Sequence, residues 1–236
     1  QEIGNPQTLD RKDTTFVLQR RGGGGHGPGS PEPEDWTTPR WRYCNTNMFA
    51  PLPAGLANDG KADTLLTVYV GDLRMELIFV GPAHTTNDIL AWIPERRVLF
   101  SGDLLFNEGT PFVAMGSIAG SLRALETLQC LGAQTIVPGH GPVCGPEVID
   151  DMAAYLRFVQ DLAREGFDAG VSPLEAAGQA DLGRFTQWHD TERLAGNLHR
   201  AYSEIRGEPL GTSLDLGPIA ADMVAFNGGR PVRCLA

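Results

Sequence analysis

The chain has 236 residues, 42% hydrophobic and 20% charged, which supplies one sizeable core with room for a tail. Nineteen Lys and Arg against 29 Asp and Glu leave a net charge of -10, so nucleic acid and anionic membrane surfaces are excluded as expected partners. No apolar run reaches the roughly 18 residues a membrane span needs.

The N-terminus, Gln1-Glu2-Ile3-Gly4, has no Met and no basic-then-apolar leader, and reads as the start of a fragment or a processed form. Residues 1–35 are dense in Gly, Pro and charge, with the run Arg21 to Gly29, and keep no period of 2 or 3.6. The expected organisation is an irregular or disordered segment over 1–55 and one domain over 56–236. The Gly-rich run is no phosphate loop, because it lacks Gly-Lys-Ser/Thr and no strand precedes it.

Beyond residue 62 the patterning sharpens. Thr64–Val70 and Leu73–Val80 read as a hairpin about Gly71-Asp72, with Met75, Leu77 and Phe79 on one face and Arg74 and Glu76 on the other. Ile89–Ile93 and Val98–Ser101 are expected as further strands. A helix is expected from about Ser117 to Leu131, on the spacing of Ile118, Leu122, Leu125 and Leu128. Thr135–Val137 is a short strand. Pro146 suits the first position of a helix whose stripe is Val148, Met152, Leu156 and Val159. Ser172 to Glu175 is a capping box. Leu194, Leu198, Tyr202 and Ile205 mark another helix, and 219–226 a last one. The order is that of a mixed α/β chain with a helical C-terminal extension.

Three positions share one setting. His84, Asp103 and His140 each follow an apolar strand through Gly or Pro, and strand ends on one sheet edge converge. Two imidazoles and a carboxylate suit zinc, iron or manganese. His189 is expected just before a helix N-cap at Asp190, and His199 as a packing or surface residue. Cys144 lies close enough in sequence to His140 for a thiol–imidazole pair, and equally reads as incidental. The four cysteines, Cys44, Cys130, Cys144 and Cys234, form no Cys-x-x-Cys pair and read as reduced thiols of a cytoplasmic protein.

The stretches Val80 to Asp88, Leu99 to Phe106 and Ile136 to Pro142 resemble, in order and separation, the later metal motifs of the metallo-β-lactamase superfamily. The wider run, including Gly109 to Phe112 and Gly116-Ser117, is similar to an actinomycete subgroup that contains second-ring cyclases of aromatic polyketide pathways. The resemblance covers about 60–236. It implies an αββα sandwich whose N-terminal half is incomplete or replaced, and a small-molecule substrate, with a homo-oligomer as an open alternative. His84 would ligate a first metal, His140 a second, and Asp103 would bridge them. Thr85 and Asp88 would support the first ligand. One or two zinc ions would activate water for hydrolysis, or stabilise an enolate during ring closure, with iron or manganese as alternatives.

The family's first motif, His-x-His-x-Asp-His, is absent: the only upstream histidine is His26. Three ligands, one of them shared, leave about two per metal where catalytic zinc uses three. Two further readings therefore stand beside the hydrolase or cyclase. One is a truncated family member acting as a binding module. The other is a thioester hydrolase of the glyoxalase II type.

Overall fold

The computed structural model describes residues 65–235, so the segment 1–55 lies outside the described residues. The described chain falls into two units, residues 65–79 with Ile93–Glu95, and Val80–Trp92 with residues 96–235.

The smaller unit is built on a hairpin. Strands β1 (Leu65–Val70) and β2 (Leu73–Phe79) pair antiparallel, from Leu65 opposite Ile78 to Val70 opposite Leu73. Gly71 closes the turn at φ 61, a conformation that costs a glycine little. Arg74 lies on one side of β2 with Glu76, at 3.2 Å, and reaches Glu95 at 3.1 Å. That is the period-2 placement expected of them, although every residue of β2 is half-buried.

The larger unit contains most of β3 (Ile89–Ile93), all of β4 (Val98–Phe106) and β5 (Thr135–His140), adjacent in that order. β4 and β5 run parallel. β4 extends five residues beyond the expected end at Ser101. The register slips between Phe100 and Gly102 and again between Gly102 and Phe106, so extra residues of β4 are absorbed as bulges. Pro138, which cannot donate a ladder hydrogen bond, is tolerated because β5 is the last strand of the order.

The helices are α1 (Ile118–Leu131), α2 (Glu147–Asp168), α3 (Pro173–Gln179), α4 (Arg193–Ile205) and α5 (Leu216–Phe226). Ser117 caps α1 by accepting from the Gly120 N–H at 2.8 Å, and Gly132 ends it at φ 66. The stripe Val148, Met152, Leu156, Val159 of α2 is buried as expected. Pro146 is the N-cap of α2 rather than its first helical residue. The capping box of α3 is formed: Glu175 N–H donates to Ser172 Oγ at 3.2 Å, and Ser172 N–H to Glu175 Oε2 at 2.8 Å. Leu194, Leu198 and Tyr202 of α4 are buried, and so are its polar residues Arg193, Asn197, Arg200 and Ser203. α5 starts three residues ahead of the expected Ile219, with Asp215 accepting from Gly217 N–H at 2.9 Å. Among the described residues no helix is long and apolar enough to cross a membrane.

Candidate metal centre

Asp103 lies within β4 and His140 is the last residue of β5, so neither follows its strand as the sequence spacing suggested. The correction has a local cause. Gly102 takes φ 53 at the first bulge, and the buried–exposed alternation of β4 breaks there: Gly102 and Asp103 are both exposed. The bulge turns the Asp103 carboxylate outward without ending the strand. Gly139 on the neighbouring strand leaves room for it, since a Cβ there would strike Asp103 Oδ1 and the Gly102 backbone.

His84 is carried on the loop between β2 and β3. The Ser117 N–H donates to Ala83 O at 2.7 Å, and a Cβ at Gly116 would strike the carbonyls of Ala83 and His84. The loop is thus pressed on the start of α1. Within it, Asp88 accepts from Thr85 N–H at 2.7 Å and from Thr85 Oγ1 at 2.8 Å. Thr85 and Asp88 bond to each other and tie down the backbone directly after His84, while His84 Nδ1 is buried with no hydrogen-bond partner.

The three expected residues converge around Asp103. Its Oδ2 lies 3.6 Å from His84 Nε2 and its Oδ1 lies 3.5 Å from His140 Nε2. These separations are longer than ordinary hydrogen bonds. Burial pushes His84 below the ordinary histidine value, against the opposing pull of Asp103 and Asp88, while His140 and Arg193 lower it further. A neutral imidazole and a carboxylate both have lone pairs to offer, so at this spacing the pair is suited to sharing a cation. Two donors on one tetrahedral zinc, with bonds of about 2.0–2.1 Å, lie about 3.4 Å apart. Among the described residues no three His, Cys, Asp or Glu side chains close around one point. The arrangement is two donor pairs sharing a carboxylate.

Phe106 completes the cluster. It is 2% exposed, stacks on the His140 ring at 4.5 Å and 9°, and meets the His84 ring at 5.8 Å and 38°. The Arg193 guanidinium lies 5.7 Å from the centre of the same Phe106 ring.

The other candidates lie apart from this group. Cys144 pairs through its backbone with Ile136 and its Sγ faces Ile136 O at 3.9 Å, with the thiol pushed up by burial and by Glu147. His189 makes a backbone bridge with Gly109. Asp190 is not an N-cap: Glu192 holds that position in α4, and Asp190, at φ 58, accepts from Leu235 N–H. His199 bonds Asp222 at 2.7 Å between α4 and α5, the packing role expected of it. His26 lies outside the described residues.

Sequence reasoning missed the polar side of α4, which is bound to the segment linking β4 to α1. Arg193 donates to Thr110 O at 2.8 Å, and Asn197 to Pro111 O at 2.9 Å. Asn197 Oδ1 accepts from Val113 N–H at 2.9 Å. Arg200 Nε and Nη2 donate to Ala114 O at 3.1 and 2.6 Å. Glu204 accepts from the Ile118 and Ala119 N–H groups at 2.7 and 3.1 Å, facing the positive end of α1. The available signal was a second stripe at helical spacing, 193, 197, 200 and 204, beside the apolar one.

Comparison with known proteins gives the family. The metallo-beta-lactamase superfamily model matches residues 17–140. The match begins well upstream of residue 60 and ends at His140, unlike the resemblance read from the motifs. A Beta-lactamase-like protein 2 homolog of Caenorhabditis elegans is 33% identical over 98 residues, 42% of this chain and 32% of that protein. A hydroxyacylglutathione hydrolase of Rhodospirillum rubrum is 32% identical over 107 residues, 44% of this chain and 40% of that protein. The chain thus matches only about a third to two fifths of these curated relatives' length. A metallo-beta-lactamase from Pontibacter korlensis, at 24% identity and TM-score 0.38, aligns over 40% of this chain and 46% of that structure. With the family model spanning more than half of its residues, the chain belongs to the metallo-beta-lactamase superfamily and has that family's α/β fold.

Proposed function

We propose that the protein is a metal-dependent hydrolase or cyclase acting on a carbonyl group of a small molecule, with His84, Asp103 and His140 as its metal ligands and zinc as the metal. One observation carries the reading: each oxygen of the Asp103 carboxylate faces a different imidazole Nε2, at 3.6 and 3.5 Å. That donor set suits zinc, with iron or manganese as the alternatives.

When bound, the metal supplies Lewis acidity, which polarises a carbonyl and acidifies water. The chain's own residues do the rest. Asp103 offers one oxygen to each side, and its outward turn leaves it open to solvent and substrate. Burial disfavours the protonated form of His84, so one ring nitrogen can present a lone pair. Thr85 and Asp88 hold the backbone that carries His84, and Gly139 keeps the space beside Asp103 clear.

Within this class we propose an aromatic polyketide as substrate, in an antibiotic-type biosynthetic pathway of the cytoplasm. The support is the similarity of Gly109 to Phe112 and Gly116-Ser117 to the cyclase subgroup. Of those residues, Gly116 and Ser117 lie against the His84 loop, and Thr110 and Pro111 are held by Arg193 and Asn197 of α4. A second reading, thioester hydrolysis, is favoured by the match to a hydroxyacylglutathione hydrolase. No nucleic acid or membrane partner is proposed, and a second copy of the chain remains a candidate partner.

The test is elemental analysis of the purified protein beside a His84→Ala/His140→Ala variant. About one or two zinc ions per chain, lost in the variant, is the expected result. Metal far below stoichiometric and unchanged by the substitutions would leave the binding-module reading. Assays with a thioester and with a polyketide chain then separate hydrolysis from ring closure.

A further inference from the structure

We propose that Arg193 and Phe106 are positioning residues that set the imidazole planes of the His84–Asp103–His140 cluster. The inference rests on the metal-site reading above for its functional meaning, and on geometry for its substance.

An imidazole on a rim is held loosely by its own torsions, because the final bond of a histidine side chain has a broad, roughly two-fold preference. His140 is 27% exposed in its side chain. Its ring is nearly parallel to Phe106 and stacked on it at 4.5 Å. The same Phe106 ring meets His84 at 5.8 Å. One buried ring therefore touches both imidazoles, on two different chain segments.

Phe106 in turn carries the Arg193 guanidinium, 5.7 Å from its centre. A cation near an aromatic face is held by the ring's quadrupole, more strongly where water is excluded. Here the guanidinium is 8% exposed and is fixed on other sides. Nη1 donates to Thr110 O at 2.8 Å, Nη2 pairs with Asp190 at 2.9 Å, and Nη2 also donates to Cys234 Sγ at 3.3 Å. Asp190, 1% exposed in its side chain, also accepts from the Leu235 N–H at 2.9 Å. Anchoring runs from Asp190 to Arg193 to Phe106 and from there to both imidazoles. A guanidinium needed only for stability could have been satisfied by Thr110 O and Asp190 alone. Its additional placement at the ring that stacks on His140 is what points to positioning.

The decisive variant is Arg193→Met, which keeps the aliphatic bulk and removes the cation. In metal-free protein with labelled histidines, NMR is expected to show changed His140 and His84 ring-proton resonances. Zinc affinity, read by competition with a chromogenic chelator, is expected to fall about tenfold to a hundredfold, the usual cost of losing a group that orients a ligand. Arg193→Lys is expected to restore most of the affinity by keeping a cation at the ring, and Phe106→Tyr to restore more than Phe106→Leu. If Arg193→Met does not fold, Asp190→Asn makes the same test by loosening the guanidinium without touching the ring. Lower melting temperature with unchanged ring resonances in the folded protein would overturn the proposal. If the wild-type chain takes up no zinc, the metal reading fails by itself, and the ring resonances of metal-free protein still decide the positioning.

Discussion

Two groups of polar side chains behave in opposite ways. On α4, Arg193, Asn197, Arg200 and Glu204 meet backbone partners at 2.5–3.1 Å, and the first three residues are buried. Around Asp103 the partners face each other at 3.5 and 3.6 Å, with the carboxylate 44% exposed. Buried donors and acceptors close on one another because an orphan costs about 1–3 kcal/mol. A group held just beyond hydrogen-bond length does not make that saving. The contrast separates side chains that hold the fold from those that the proposed metal site would use.

The sharpest way to break the contrast is on α4. Arg200 is fully buried, and Arg200→Met would leave Ala114 O and Thr212 O without their donor. A loss of about 3–5 kcal/mol is expected, read as a large drop in chemical-denaturation midpoint. An unchanged midpoint would mean that water satisfies those carbonyls equally well.

Gly139→Ala acts on the other group. Its Cβ would collide with Asp103 Oδ1 and with backbone, so about 1–3 kcal/mol of stability should be lost. Zinc affinity should fall as well, because the carboxylate must move. Retained affinity would place the metal donors elsewhere.

Asp103→Asn is the complementary case. An exposed carboxylate without a short hydrogen bond contributes little to folding, so stability should change by less than about 0.5 kcal/mol. Metal uptake should nevertheless collapse. A large fall in melting temperature would make Asp103 a structural residue after all.

The smallest effect is expected at Glu175→Gln. Hydrogen bonds from Ser172 hold the Glu175 carboxyl below the usual range. A folded value below the unfolded one means that the contribution is present above the unfolded value and is lost as pH falls through the folded one. The variant should therefore lose a little stability near neutral pH and none in strong acid. Parallel pH profiles of the two proteins would contradict the carboxylate's part in the cap.

Much of this was legible. The hairpin about Gly71-Asp72, the stripe of α2 and the capping box of α3 follow from local rules, in which propensity, period and turn chemistry agree. His84, Asp103 and His140 were legible as candidates because Gly and Pro next to an apolar strand mark places where side chains can be re-aimed. Phe106 and Arg193 were not legible: one reads as another core aromatic, the other as another surface charge, and 87 residues of chain separate them. The expected end of β4 falls short because Gly102-Asp103 has the composition of a turn, while pairing with β5 continues to Phe106 opposite His140.

The sequence by itself determined most of the elements, the Ser172 capping box and the three residues able to offer lone pairs to a cation, because those depend on contacts within a few residues. Tertiary structure alone decided that Asp103 faces both imidazoles, that Gly139 makes room for it and that one buried ring meets both Arg193 and His140. Those relations join residues far apart in the chain, where bulge register and core packing, rather than local preference, set the distances.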